Sequence, residues 1–167
     1  MSETGPSGRM VPIEWLQGAF AMRAAAYANM FDVLREAFGT DRAVEIVSEA
    51  TRRMGVTMGA KFADLGPADL NGLKDRFLGG IPAGEVIFQP EVLRCDDERL
   101  EIQFHRCPLK EAWQEAGYDG AALANLCDIG GVVDYGTFEK AGFRIQSDTW
   151  QPGREGCCRL HIRPGPG

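Results

Sequence analysis

The stretch Arg99-Leu100-Glu101-Ile102-Gln103-Phe104-His105-Arg106-Cys107-Pro108-Leu109-Lys110-Glu111-Ala112-Trp113 changes its period part-way along. Leu100, Ile102 and Phe104 alternate with Glu101, Gln103 and His105, the period-two pattern of a half-buried strand. Cys107-Pro108 then turns the extended run into a helix, because proline has a fixed φ and suits a first helical turn. Leu109, Ala112, Trp113 and Ala116 lie on one face of that short helix, and Gly117 ends it. Cys107 thus stands at a strand-to-helix corner.

Upstream, Glu85–Arg94 reads as a second strand, joined to Arg99–Arg106 by the polar turn Cys95-Asp96-Asp97-Glu98. Downstream, Asp119 caps a helix carrying Leu123, Leu126 and Cys127, and Gly130-Gly131 is expected to break it before a further segment, Val132–Lys140. Phe143–Trp150 and Cys157–Arg163 are two more strands around the loop Gln151–Gly156. In the first third, Trp15–Phe38 is a long helix with its apolar stripe at Leu16, Phe20, Tyr27, Met30, Phe31, Leu34 and Phe38, stopped by Gly39. Thr40 and Asp41 are placed to cap a second helix, buried through Ala43, Ile46, Val47, Ala50 and Met54, with Gly55 and Gly59 weakening its continuation towards Phe62. Gly66-Pro67-Ala68-Asp69 starts a third helix that runs through Phe77 and closes at Gly79-Gly80-Ile81-Pro82. The fold class is α+β: long N-terminal helices packed on a small antiparallel sheet of about four strands, with short helices inserted between the strand pairs. Residues 12–163 form one domain, 1–11 a flexible polar leader and 164–167 a disordered tail.

The 167 residues are enough to bury a core without disulfide staples. A net charge of −6 disfavours nucleic acid as a partner, and no apolar run is long enough for a membrane span. The leader has no apolar core of a secretory signal, so the chain is expected to be cytoplasmic and its five cysteines free thiols. The long helices have enough apolar surface to support a homodimer. No phosphate-binding glycine loop, dinucleotide fingerprint or His-Glu-x-x-His is present.

Strand alternation places Glu101, Gln103, His105, Arg144, Gln146, Asp148, Cys157, Arg159 and His161 on one sheet face, opposite Leu100, Ile102, Phe104, Phe143, Ile145, Leu160 and Ile162. That polar face is either the solvated side of the sheet or, if helices or a partner cover it, a polar pocket for an anionic small molecule. Cys107, Cys127 and Cys157 allow two chemistries. They can ligate zinc or an iron-sulfur cluster, with His105 or Cys158 as a fourth ligand, although the chain has no Cys-x-x-Cys and adjacent Cys157 and Cys158 should face opposite ways on a strand. Alternatively one thiol is a nucleophile assisted by a neighbouring histidine or arginine, with His105 near Cys107 and His161 near Cys157. Any single cysteine, Cys95 above all, can equally be a small buried hydrophobe.

In order and spacing, Leu34-Arg-Glu-Ala-Phe-Gly39, Ala43-Val-Glu-Ile46, Arg106-Cys107-Pro108-Leu109, Trp113, Gly117, Leu126-Cys127-Asp128 and Gly153-x-x-x-Cys157 resemble the L-2-amino-thiazoline-4-carboxylic acid hydrolase family from about Met22 to Arg163. The resemblance implies hydrolysis of a C–N or C–S bond in a small cyclic amidine, with the family's three cysteines at Cys107, Cys127 and Cys157 and its acidic residue at Asp128. The strand after the last cysteine departs from the family pattern, reading Cys158-Arg159-Leu160-His161. On this reading Cys107, Cys127, Cys157, His161 and Asp128 are the catalytic candidates. His105, Arg144, Asp148 and Arg159 are the substrate-binding ones, and no cofactor is needed. The alternative is a binding protein that holds a small molecule, zinc or an iron-sulfur cluster.

Overall fold

The computed structural model describes residues 11–167 of the chain, so the expected leader lies almost wholly outside the described residues. Helix α1 (Ile13–Phe38) ends at Gly39, whose φ of 84° is a conformation that glycine adopts without a Cβ penalty. Its buried residues are Ala24, Tyr27, Ala28 and Phe31. Two members of the expected stripe are corrected: Met30 is 47% exposed, on the flank of the buried Tyr27–Phe31 face, and Phe38 is 65% exposed at the last residue of α1, beyond the core that it covers.

Helix α2 (Thr40–Gly59) starts from Gly39 without a side-chain cap from Thr40 or Asp41, and a 3-10 turn (Ala60–Phe62) prolongs it. Its buried face is Ala43, Val47, Thr51, Gly55 and Gly59; Ala50 is exposed, and Ile46 and Met54 are only half-buried. The glycines decide which face is buried. A Cβ on Gly55 or Gly59 would collide with the Val133 or Thr137 carbonyl, and one on Gly136 with the Arg52 carbonyl. Two backbones therefore cross in contact, as small residues permit.

The partner in that crossing is α6 (Gly120–Lys140), one 21-residue helix where the sequence suggested two. Gly130 and Gly131 do not break it. Their missing side chains make room for Trp113 and Thr149, since added Cβ atoms would lie 3.3 Å from the Trp113 ring and 2.8 Å from the Thr149 methyl. Burial on several sides supplies the stabilisation that glycine propensity withholds, about 1 kcal/mol each. Helix α5 (Pro108–Glu115) closes this core, its Trp113 buried and donating Nε1–H to the Ala24 carbonyl of α1 at 2.8 Å.

A second core lies under the sheet. Helix α3 (Leu70–Gly79) is capped by Asp69, which accepts from the Gly72 amide at 2.8 Å. The strand expected from Glu85 begins later: 84–87 form a single helical turn, α4 (Gly84–Ile87), with Ile87 buried and positive φ at Ala83 and Gln89 turning the chain on either side. Strands β1 (Pro90–Cys95), β2 (Leu100–Phe104), β3 (Arg144–Asp148) and β4 (Arg159–Arg163) form an antiparallel sheet in the order β1-β2-β4-β3. Asp96 accepts from the Glu98 and Arg99 amides at 2.9 Å and shapes the β1–β2 turn. Leu100, Ile102, Leu160 and Ile162 are fully buried on one face against Phe62, Leu73 and Phe138. The α+β class expected from the period changes is the architecture found. Beyond β4, the Gly165 amide donates to the Pro67 carbonyl at 2.9 Å, tying part of the expected tail to the turn before α3. Among the described residues no helix is long and apolar enough to cross a membrane.

The α2–α6 contact makes a direct prediction. Gly55→Val should destabilise the fold by at least about 3 kcal/mol in urea titration, whereas Gly18→Ala, in open space on α1, should be neutral or stabilising by up to about 1 kcal/mol.

Candidate active site

Where the two cores meet, a cavity of about 250 Å³ opens between α1, α2, the α3–α4 turn, β2, α5 and α6. Cys107, Cys127 and Cys157 all line it, and so does Cys158. Each arrives by a different route. Cys107 is the N-cap residue of α5, placed by the β2-to-α5 corner. Cys127 lies on the buried face of α6, and Cys157 is 1% exposed just before β4. Cys157 donates its amide to the Phe104 carbonyl at 3.0 Å, and Phe104 returns its own amide to the Cys158 carbonyl at 2.9 Å.

Adjacent cysteines on a regular strand would point apart, as the sequence suggested. Here the positive φ of Gly156 turns the chain ahead of them and regular β4 begins only at Arg159, so the Sγ atoms of Cys157 and Cys158 lie 3.9 Å apart. Lys110 braces the corner by donating Nζ–H to the Gly156 carbonyl at 2.7 Å, with its ammonium over the Trp150 ring.

Burial and proximity hold these thiols neutral. The Cys157 thiol beside it, followed by burial, pushes Cys107 well above the ordinary thiol range, while the Leu109 and Lys110 amides at the start of α5 pull the other way. The strongest influence on Cys157, its Cys107 neighbour, favours the thiolate, but Cys158 and burial together outweigh it and push the group up to about 12. Burial, then Cys157 and Cys107, raises Cys127, against the opposing charge of Lys110.

The cavity also holds Asp134, a residue that the sequence analysis did not select. Burial lifts its carboxyl from 3.8 to about 7, opposed by the charge of Arg23, so it exchanges a proton near neutrality. Asp134 follows Cys127 by seven positions on one continuous helix, hence on the same face. The expected break at Gly130-Gly131 hid that relation. Arg23 stands among the apolar residues of the α1 stripe, three after Phe20 and four before Tyr27, whose hydroxyl accepts from it at 3.2 Å. Arg23 and Lys61 both line the cavity, and neither is within 4 Å of a carboxylate among the described residues.

The other sequence-selected residues are elsewhere. His105 pairs with Glu91 at 2.7 Å on the exposed side of the sheet. His161 pairs with Asp148 at 2.8 Å and has Glu101 at 3.6 Å. Arg159 donates to Gln103 Oε1 at 3.0 Å, Arg144 is exposed on the edge strand, and Asp128 accepts from the Thr149 hydroxyl. None of these six lines the thiol cavity, because they face the solvated side of the sheet or, for Asp128, the β3 end of α6. Among the described residues, no group of three or more His, Cys, Asp and Glu side chains is arranged to hold a metal ion.

A family model described as L-2-amino-thiazoline-4-carboxylic acid hydrolase matches residues 19–162, which include the whole thiol cavity. The chain belongs to that hydrolase family. No curated protein matches it significantly. Within this amino-thiazoline-carboxylate hydrolase fold, the matched span includes the crossing helices as well as the four strands, so the cavity is built entirely from family elements.

Asp134 leaves a measurable trace in stability. The raised carboxyl favours folding at low pH relative to high: below about pH 4 both states are protonated, and stability falls as pH rises towards 7 because only the unfolded chain ionises freely. Asp134→Asn should remove that decline. At pH 8 the variant should be more stable than the parent by about 1–2 kcal/mol, and at pH 4 by much less, in paired urea titrations.

Proposed function

We propose that this hydrolase opens a small cyclic amidine of the thiazoline type by thiol chemistry in the cavity. The observation that carries the proposal is the meeting of Cys107, Cys127 and Cys157, from three distant segments, in one cavity with the Asp134 carboxyl. Arg23 and Lys61, free of carboxylate partners among the described residues, suit a substrate carboxylate. Asp134 suits proton transfer, since a group with a pKa near ambient pH can both take and return a proton.

Cys107 is the best placed nucleophile, because a thiolate there meets the first amides of α5. The Cys157 thiol and burial hold the Cys107 proton tightly. A bound amidinium changes that balance by bringing a positive charge next to the sulfur, so activation waits for substrate. Asp134, in its ionised form, takes the Cys107 proton through water in the cavity as sulfur adds to the amidine carbon. The ring C–S bond then breaks, and the leaving sulfur takes the proton back from Asp134. Water adds to the resulting enzyme-bound isothiourea, giving up one proton to Asp134. Cys107 leaves with that proton, the hydroxyl proton of the adduct passes to solvent as the carbonyl forms, and the product is a carbamoyl derivative that bears the released thiol. Cys127 and Cys157 line the same wall and keep it free of competing charge.

Single Cys107→Ser, Cys127→Ser and Cys157→Ser variants, assayed by loss of the heterocycle's ultraviolet absorbance, test this. Cys107→Ser should lower kcat by at least about 10²-fold, and Asp134→Asn should remove the ionisation near pH 7 from the rate profile. Full activity in all three cysteine variants would rule out thiol participation. Elemental analysis tests the thiol-ligand alternative: stoichiometric zinc or iron, lost on cysteine replacement, would recast the thiols as metal ligands.

A further inference from the structure

The cavity is lined far more by carbon than a small polar acid would use. Phe20, Phe88, Phe104, Phe77 and Phe62 form an unbroken aromatic wall. Successive ring centroids along it are 5.5, 5.9, 6.4 and 6.3 Å apart, all edge to face. Ile81 extends it from the α3–α4 turn. An unsubstituted amino-thiazoline carboxylate has about nine non-hydrogen atoms and fills on the order of 150 Å³ at interior packing density. The cavity, at about 250 Å³, is larger than that, and the phenylalanine wall bounds its surplus. Water is a poor occupant of a void bounded by phenylalanine rings, which provide no hydrogen-bond partners.

We infer that the substrate of this cavity is a carboxylated cyclic amidine bearing an aromatic or branched apolar substituent of roughly phenyl size. The substituent packs on the phenylalanine wall, while the amidine meets the thiols and the carboxylate meets Arg23 and Lys61. The inference rests on the cavity being the substrate site of the proposed hydrolysis, and it departs from the plain thiazoline acid of the family description in the size and polarity of what is bound.

Binding to the full chain is measured by calorimetry with two unreactive aromatic probes, 2-aminothiazole-4-carboxylate and its 5-benzyl derivative. The benzyl compound should bind at least about tenfold tighter. Ile81→Trp, which fills the void from a half-buried turn, should abolish that advantage and leave the smaller probe within about twofold of its parent affinity. Phe20→Ala, which opens the wall at the surface of α1, should weaken only the benzyl probe. Equal affinity for the two probes, or a preference that survives both substitutions, would overturn the inference. Turnover assays with the matching thiazolines separate it from the parent proposal. Hydrolysis of the unsubstituted ring at equal or higher kcat/KM overturns the substituent and leaves the hydrolase standing, whereas tight benzyl binding with turnover of neither ring supports the ligand class and removes the reaction.

Discussion

The contact between the backbones of α2 and α6 is the constraint on which the molecule depends. Gly55, Gly59 and Gly136 carry no Cβ, and the space this leaves is filled by the neighbouring helix rather than by solvent. The closeness fixes the rotation of α6 about its axis. With Gly136 turned to α2 and Gly130 to Trp113, the stripe that bears Cys127 and Asp134 has to look into the gap between the helical and sheet cores. A helix apolar on nearly every side gains most of its stability by burial, so four glycines in its length are tolerated.

The cavity follows from a mismatch between two cores that share one helix. The first core, around Phe31, Trp113 and Leu126, is organised by helix packing; the second, around Ile102, Phe138 and Leu160, by a sheet face. Cys107 belongs to the margin of both. At such a seam neither packing pattern dictates how the space is filled, and polar groups can be buried there at a cost covered by the cores on either side. The price of Asp134 is visible in its raised pKa, and that of the thiols in their resistance to ionisation.

Keeping the thiols neutral also shapes any chemistry that they perform. A cavity that raises thiol pKa values in this way makes thiolate formation sensitive to any positive charge brought beside the sulfur. The family assignment is consistent with a site of this kind, though the elements that make it are distributed across the whole matched span.

Much was legible from local pattern. The period change around Cys107, the β1–β2 turn at Asp96 and the stop at Gly39 are properties of a few consecutive residues, and each was found where sequence placed it. The class, α+β, followed from the same periods, and the family likeness rested on short motifs in order. The misread helix boundary has a physical source. Glycine has a local meaning, as a breaker, and a tertiary one, as a place for a distant segment to approach; only the tertiary structure distinguishes them. Gly130-Gly131 therefore hid a continuous helix, and with it the seven-residue relation between Cys127 and Asp134. The histidines and arginines of the sheet were assigned to a site because strand alternation shows which residues share a face, but not what covers that face. By itself, the sequence determined most of the elements, the sheet side of the residues within the regular strands and the three thiols worth watching; it did not place Cys157, which was expected on the polar face and is buried with the core. The tertiary structure alone decided that those thiols share a cavity with Asp134 and not with His105 or His161, because side chains meet where helices cross, and the crossing is set by contacts between residues far apart in the chain.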